Sequence, residues 1–474
     1  MTRTRPRNEG FRQALEETRL TYAQFAADVR LVAAENGEIL RTNPSAVAHW
    51  INGRPPAPAT AGYVAEALSR RLGRDLTAAN FGWELPKQEN GPDARLGLGV
   101  GPDPVDILRR LGEADINRRQ ILTTAAYSVA AAALPLGTAQ AAEFQRRTAG
   151  SSGRHVGQAD IRTVQQMITA FAAIDERQGG QHGRTAVVQY LRSDVAEITR
   201  GRFASEEVRG EALTAAAALA FLAGWKAYDA DEHGLAQRYH LQSLAIAREV
   251  DNPLHAAWIL RLMAHKGMDI KRPEHTLDLA DTALSLATGK AEPGILSTFV
   301  ICRARALGHA GRGAEAAAEI RRAQDLAARA EDQPPPYWMV LNSTATAQVG
   351  SHAGKTLQVL RDHRNAEQHY GRAAQVYGAC APGLNRVVGL SLADQGTQQA
   401  AQGHLEQACG TWDRAMGHFD GVYSDRAFKR VAGIRHQLAA FESRGVRAAA
   451  QLDEKIRNWQ VAHNPPAAAP TVLR

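Results

Sequence analysis

The sequence predicts an all-α protein: a small helical domain followed by a long α-solenoid of helical hairpins. Two observations carry that prediction. The first 85 residues hold short apolar-periodic helices whose ends are marked by capping residues and prolines, and small residues recur in a fixed pattern through the C-terminal two thirds. A third, the change of composition between the two parts, sets the limits. Residues 1–85 form the first domain, 86–155 a linker with an Ala-rich apolar helix, 156–460 the array, and 461–474 a disordered tail.

In the first domain, Phe11 to Leu20 forms a helix with Phe11, Ala14 and Leu15 inward. Thr21 caps a second, whose buried stripe is Tyr22, Phe25, Ala26 and Val29. In the stretch Thr42 to Pro58, Asn43 is a suitable N-cap because its side-chain oxygen can accept from a first-turn N–H, and Pro44 suits the first helical position, where a missing N–H costs nothing. Val47, Trp50 and Ile51 then share one apolar face, Ser45, Ala46 and His49 lie elsewhere, and Gly53 ends the helix with Arg54 beyond it. Val64, Ala67, Leu68 and Leu72 mark a further helix, and Leu76, Phe81 and Trp83 anchor the end of the unit.

This portion resembles the lambda-repressor-like helix-turn-helix domain in the helix starting at Thr21, the Asn43–Pro44 start, Val47 followed by His49 and Trp50, and Gly53 with its prolines. It departs from that family between Arg30 and Arg41, a longer connection than the usual tight turn. The resemblance implies double-stranded DNA as a partner, with Asn43, Ser45, Ala46 and His49 at the major groove and Arg54 on a phosphate. Arg3, Arg5 and Arg7, ahead of the first helix, suit a phosphate backbone or a minor groove. The competing reading is a small helical module that docks protein and binds no nucleic acid.

Over 474 residues the formal net charge is +7, which permits an anionic partner without requiring one. Cys302, Cys380 and Cys409 are scattered and odd in number, which fits a reduced, cytoplasmic protein with neither a disulfide framework nor a zinc site. Pro86 to Asp106 is rich in Pro, Gly and charge and reads as linker; Gly97, Gly99 and Gly101 mimic a phosphate loop but lack its preceding strand and following GKS or GKT. Arg118 and Arg119 precede an uncharged run from Ile121 to Ala142 that looks like an export signal or a membrane span. Its internal position argues against the first, and its Ala and Thr content and Pro135 argue against the second, leaving an Ala-rich helix packed between domains.

Along the remainder, small residues pair at seven-residue spacing: Ala236 with Ser243, Thr276 with Ala283, Ala316 with Ala323, Ala366 with Ala373, and Ala408 with Ala415. Twelve residues before each pair stands Gly224, Ala264, Ala304, Gly354 or Gly396, and four residues after each start a filler, His240, Ala280, Ile320, Tyr370 or Trp412. Five helical hairpins follow from this, with a sixth from Ile161 to Thr199 capping the array. The pattern resembles tetratricopeptide repeats with lengthened turns, which implies a right-handed superhelix. Phe171 to Leu191, Leu222 to Leu254 and the internal RRQIL further resemble actinobacterial regulators that join a helix-turn-helix region to a tetratricopeptide domain. That group implies transcription regulation without naming a target or ligand.

In such a superhelix Trp225, Tyr228, Arg261, His265 and Arg305 fall on or near the concave face, where they suit an extended peptide, a small anionic ligand or a protein. The alternative is that the aromatics fill the core and the arginines meet solvent. The cluster Asp229, Asp231, Glu232 and His233 falls in a turn, where acidic residues commonly stay solvated, and is not read as a metal site. No HExxH, GxSxG, P-loop or Cys and His pairing points to catalysis, and no motif asks for a cofactor. Two readings stay open: a DNA-binding regulator, as a homodimer, that takes a signal in its repeats, and a repeat scaffold whose first module recruits protein.

Overall fold

The computed structural model describes residues 6–35, 40–72, 76–83, 96–97, 103–116, 154–270, 275–330, 334–341, 343–380, 383–442 and 447–463. Arg3, Arg5 and the Ala-rich run 121–142 lie outside them. Apart from turns and a short parallel ladder pairing His155 with Arg202 and Val156 with Phe203, the described residues are helical.

The first domain contains α1 (Glu9–Glu17), α2 (Tyr22–Glu35), α3 (Pro44–Ile51), α4 (Pro58–Leu72) and a 3-10 turn at Ala78–Phe81. Side chains start the first three of these helices, because the first N–H groups of a helix have no partner within it. Asn8 Oδ1 accepts from the Phe11 N–H at 3.0 Å, the Gln24 N–H reaches Thr21 Oγ1 at 3.3 Å, and Asn43 Oδ1 accepts from the Ala46 N–H at 3.0 Å. Gly53, at φ +85°, takes the left-handed turn that ends α3. Phe11 organises the core, its ring lying 5.9 Å from Phe25, 6.2 Å from Trp50, 5.6 Å from Phe81 and 5.0 Å from Trp83. Two expectations are corrected. α1 ends at Glu17, where the Thr18 hydroxyl turns back to the Leu15 carbonyl and Arg19 adopts a positive φ. Tyr22 is 44% exposed, and the buried stripe of α2 runs Phe25, Ala26, Val29, Val32 and Ala33.

The linker assignment also needs correction. Within 86–155, α5 (Pro104–Ile116) buries Val105, Leu108 and Leu111 in the main core of the array, and Leu96 joins them. Arg238 donates to the Leu96 carbonyl and Gln242 to that of Gly97 at 3.0 Å. The Pro and Gly around this segment masked a helix whose 105/108/111 spacing is amphipathic.

The array begins with α6 (Gln158–Gln178) and α7 (Arg184–Tyr190), the latter continuing through a wide turn at Leu191–Val195. Hairpins follow: α8 (Glu206–Asp229) with α9 (His233–Glu249), α10 (Pro253–Asp269) with α11 (Thr276–Ala287), α12 (Pro293–His309) with α13 (Gly313–Ala327), α14 (Ala345–Val359) with α15 (His363–Cys380), and α16 (Asn385–Ala401) with α17 (Leu405–His418). These are the five units expected from the spacing of small residues. A further pair, α18 (Asp425–Glu442) with α19 (Arg447–His463), was not expected, and its last helix runs past buried Trp459 to carry buried His463 into the segment assigned to a disordered tail.

Close approach explains the spacing. A Cβ placed on Gly224 would meet the His240 ring at 2.5 Å, one on Gly354 the Tyr370 ring at 2.9 Å, and one on Gly396 the Trp412 indole at 2.6 Å. Each glycine thus seats the filler of its own partner helix, and Trp412 Nε1 completes its site by donating to the Ala393 carbonyl at 3.0 Å. Gly396→Val is expected to displace that indole and cost about 1–3 kcal/mol through overpacking, read from the midpoint of urea unfolding.

Several histidines are sealed in this packing. His255 is fully buried, its ring stacked 4.7 Å from Trp338, and burial pushes its pKa down to about 3. The folded chain therefore keeps His255 neutral while the unfolded chain protonates it below about pH 6.5. Its contribution is fully present above that pH and is lost as the pH falls toward 3. In paired urea titrations, His255→Phe should gain about 1.4 kcal/mol on the parent protein per pH unit between pH 6 and 4. A gap that does not move with pH would contradict the burial assigned here.

Candidate binding cavity of the repeat array

The array comes round on itself. The Tyr423 N–H, at the start of the last hairpin, donates to the Gln178 carbonyl at the end of α6 at 2.7 Å. Gly179 permits this contact, because it stands at φ +90° and a Cβ there would meet the Tyr423 carbonyl oxygen at 2.2 Å. Arg386 on α16 reaches Asp175 on α6 at 2.8 Å and Asp229 at the end of α8 at 3.5 Å. Asp175 also accepts from Lys226 at 3.2 Å and Trp225 Nε1 at 2.9 Å, while Asp229 accepts from Ser424 at 2.9 Å and the Gly180 N–H at 2.8 Å. Burial works to raise the Asp175 pKa, yet Arg386 and Lys226 hold it below the usual carboxylate value.

This overturns one expectation for the acidic turn. Asp229 is fully buried, with partners from both ends of the array, while Asp231 pairs with Lys429 and Glu232 with Arg184 at 2.7 Å. Among the described residues, no group of three or more His, Cys, Asp or Glu is placed to hold a metal ion.

Two connected chambers lie inside the ring. The inner one, of about 130 Å³, is walled by Trp225, Tyr228 and Trp258 and by Arg261, Lys266 and Arg426. The outer one, of about 1020 Å³, shares Tyr228, Asp269, Lys355 and Arg426 with it and adds Arg305. All five groove residues read from the sequence are therefore gathered here, four at the inner chamber and Arg305 at the outer. They are structural as well. Trp225 donates to Asp175, and Tyr228 donates to Asp269 at 2.8 Å. Arg261 reaches the Thr298 carbonyl at 2.9 Å and Gln348 at 2.7 Å, and Arg305 pairs with Asp269. The expectation that the arginines meet solvent fails, since Arg261 and Arg305 are buried.

Electrostatics set this cavity apart. Burial, with nearby Arg426, forces the Lys266 pKa well below that of a free lysine, and burial brings Lys355 to about 8 and Arg261 to about 10. Burial raises Glu176, at the wall, to about 7. His265 and His352 stack with ring centres 4.0 Å apart, both held neutral by burial and by the surrounding cations. Sequence reading missed Lys266, Lys355, Arg386 and Arg426; the available signal was a charge set in a small or apolar run, as in MAHKGM and LNRVVGL.

The candidate DNA residues separate as follows. Ser45, His49 and Arg54 are exposed on and beyond α3, Ala46 is half-buried against the core, and Asn43 spends its side-chain oxygen on the cap. Arg7 is exposed just before α1. No described helix is long and apolar enough to cross a membrane.

Residues 11–84 match the family model described as the SP15 N-terminal domain, a span that runs from α1 past the 3-10 turn. Among curated proteins no match is found. Of solved structures, that of a Rap protein complexed with competence and sporulation factor is similar, with a TM-score of 0.43 and 12% sequence identity over 78% of this chain and 99% of that one.

Removing one member of a buried ion network strands the others, which typically costs about 3–5 kcal/mol. Arg386→Met is accordingly expected to lower stability by about 3 kcal/mol and to speed proteolysis at the seam between α6 and α18, measured by urea unfolding and limited digestion.

Proposed function

We propose that the protein is a ligand-binding repeat protein, which takes its ligand inside the closed array and relays occupancy to a partner through its first domain. The observation that carries this reading is the excess of cations, with buried Arg261, Lys266 and Arg386 and half-buried Lys355 and Arg426 lining the inner chamber against the carboxylates Glu176 and Asp269. Buried charge is costly, and apolar side chains of similar size would pack an array at least as stably, so the arrangement fits binding better than packing. A route outward exists in α5, whose Asp115 accepts from Arg184 at 2.5 Å and from Tyr239 on α9 at 3.0 Å. The chain between α4 and α5 joins that helix to the first domain.

The partner read by the first domain is double-stranded DNA in a second reading, favoured by α3, where Ser45, His49 and Arg54 are exposed while Val47, Trp50 and Ile51 are buried. A homodimer would place two such helices on a two-fold site.

Both parts are testable on the full chain. Thermal melts against a panel of small acids, bases, neutral compounds and short peptides should yield stabilising ligands, worth about 2.7 kcal/mol at a hundredfold excess over Kd. Ser351→Trp, which fills the junction of the chambers, should lose them. A panel with no ligand, or ligands indifferent to Ser351→Trp, sinks the cavity reading. Titration on random duplex at several salt concentrations decides the second reading: a steep slope that flattens in Arg54→Ala supports DNA, and a flat slope leaves a protein-docking module.

A further inference from the structure

Most cations around the chambers already have a counter-charge. Arg386 faces Asp175 and Asp229, Arg305 faces Asp269, and Lys355 stands 3.7 Å from Asp269. Arg261 has no carboxylate partner but donates to the Thr298 carbonyl and to Gln348, whereas Lys266 and Arg426 differ from all of these. Lys266 is 1% exposed, its Nζ making long contacts of 3.4 Å to the Gly224 carbonyl and to the His240 ring. Among the described residues, no carboxylate oxygen lies within 4.0 Å of either cation. Both stand over the same two rings. Lys266 Nζ is 4.3 Å from the centre of Tyr228 and 5.8 Å from that of Trp225, and Arg426 Cζ is 5.6 and 5.5 Å from them.

A third group at the same space has one ring nitrogen, Nδ1, 3.4 Å from Arg305 and the other without a partner. His265 is 4% exposed, lines the inner chamber, and its Nε2 has no hydrogen-bond partner. Burying a polar nitrogen unpaired is unfavourable, and so is an ammonium without a counter-ion, which is why burial and Arg426 hold the Lys266 pKa down; an incoming anion relieves both and favours the charged form of Lys266.

The shape limits what carries that anion. About 130 Å³ is the scale of a cavity that takes a benzene ring, and Trp225, Tyr228 and Trp258 offer flat apolar walls. Asp269 shares the wall, and against the cost of its burial Arg305 and Lys355 keep it ionised, so that it would repel a second negative charge, which favours a monoanion over a phosphate. The outer chamber of about 1020 Å³ leaves room for the rest of a larger molecule.

Resting on the cavity reading above, the geometry points to a ligand that ends in a carboxylate on an aromatic or branched apolar stem, the stem in the inner chamber and the carboxylate between Lys266 and Arg426. The class spans free aromatic acids and peptides with an apolar C-terminal residue. Both present the same end group.

Isothermal titration of the full chain with phenylacetate, phenylacetamide and phenyl phosphate tests this. Phenylacetate should bind, the neutral amide at least about tenfold more weakly, and the dianion more weakly than the monoanion. Lys266→Met and Arg426→Met should each raise the Kd for phenylacetate about tenfold and leave that of the amide within twofold; Arg426, only half-buried, supplies the readout should Lys266→Met misfold. A benzoyl-blocked dipeptide ending in phenylalanine, against its C-terminal amide, then separates peptides from free acids. Acid and amide binding equally, with both lost in Ser351→Trp, would overturn the carboxylate anchor and leave the cavity reading standing. Tighter binding of phenyl phosphate would overturn the monoanion assignment, and no binding by any of these probes would overturn the anchor, while the cavity reading stands or falls with the wider ligand panel and Ser351→Trp.

Discussion

Two carboxylates, Asp175 and Asp229, hold the molecule to its shape. Both are fully buried, and both find a cation in Arg386, on a helix that begins more than 150 residues later in the chain. In water such pairs contribute little, but in a sealed seam each depends on the others, because withdrawing one leaves a charge with nowhere to go. The cavity exists because this seam is shut. Trp225, which donates to Asp175, is also a wall of the inner chamber, so the interaction that closes the ring also positions a ring that faces the cavity.

What could be read in the sequence was whatever repeats or has a local signature. The five hairpins were legible because helix approach demands small residues, and Gly224, Gly354 and Gly396 each sit under a specific ring. Asn43, Pro44 and Gly53 were legible because a cap satisfies backbone groups within a few residues of itself. The rest was hidden by distance or by composition. Nothing local in LNRVVGL says that Arg386 meets Asp175, and the prolines and glycines near α5 concealed its apolar stripe.

The candidate cavity was half legible for the same reason. Arg261, His265, Arg305, Trp225 and Tyr228 belong to helices whose phase the repeat fixes, so their convergence followed from periodicity. Lys355 and Arg426 come from later turns of the superhelix, and they reach the chamber only because the array bends back. Reading inner faces from a straight array cannot find them.

The Tyr423 to Gln178 hydrogen bond has a consequence for how the molecule comes apart. A linear stack of repeats behaves like a one-dimensional chain of neighbours, whose end units fray first and whose melting spreads inward over a broad range. Joining the first helices to the last hairpin leaves no ordinary free end at which fraying begins. Loss of the first hairpin costs not one interface but two, so partial states are penalised and the array moves toward all-or-none unfolding, with a transition sharper than its repeat architecture alone would give.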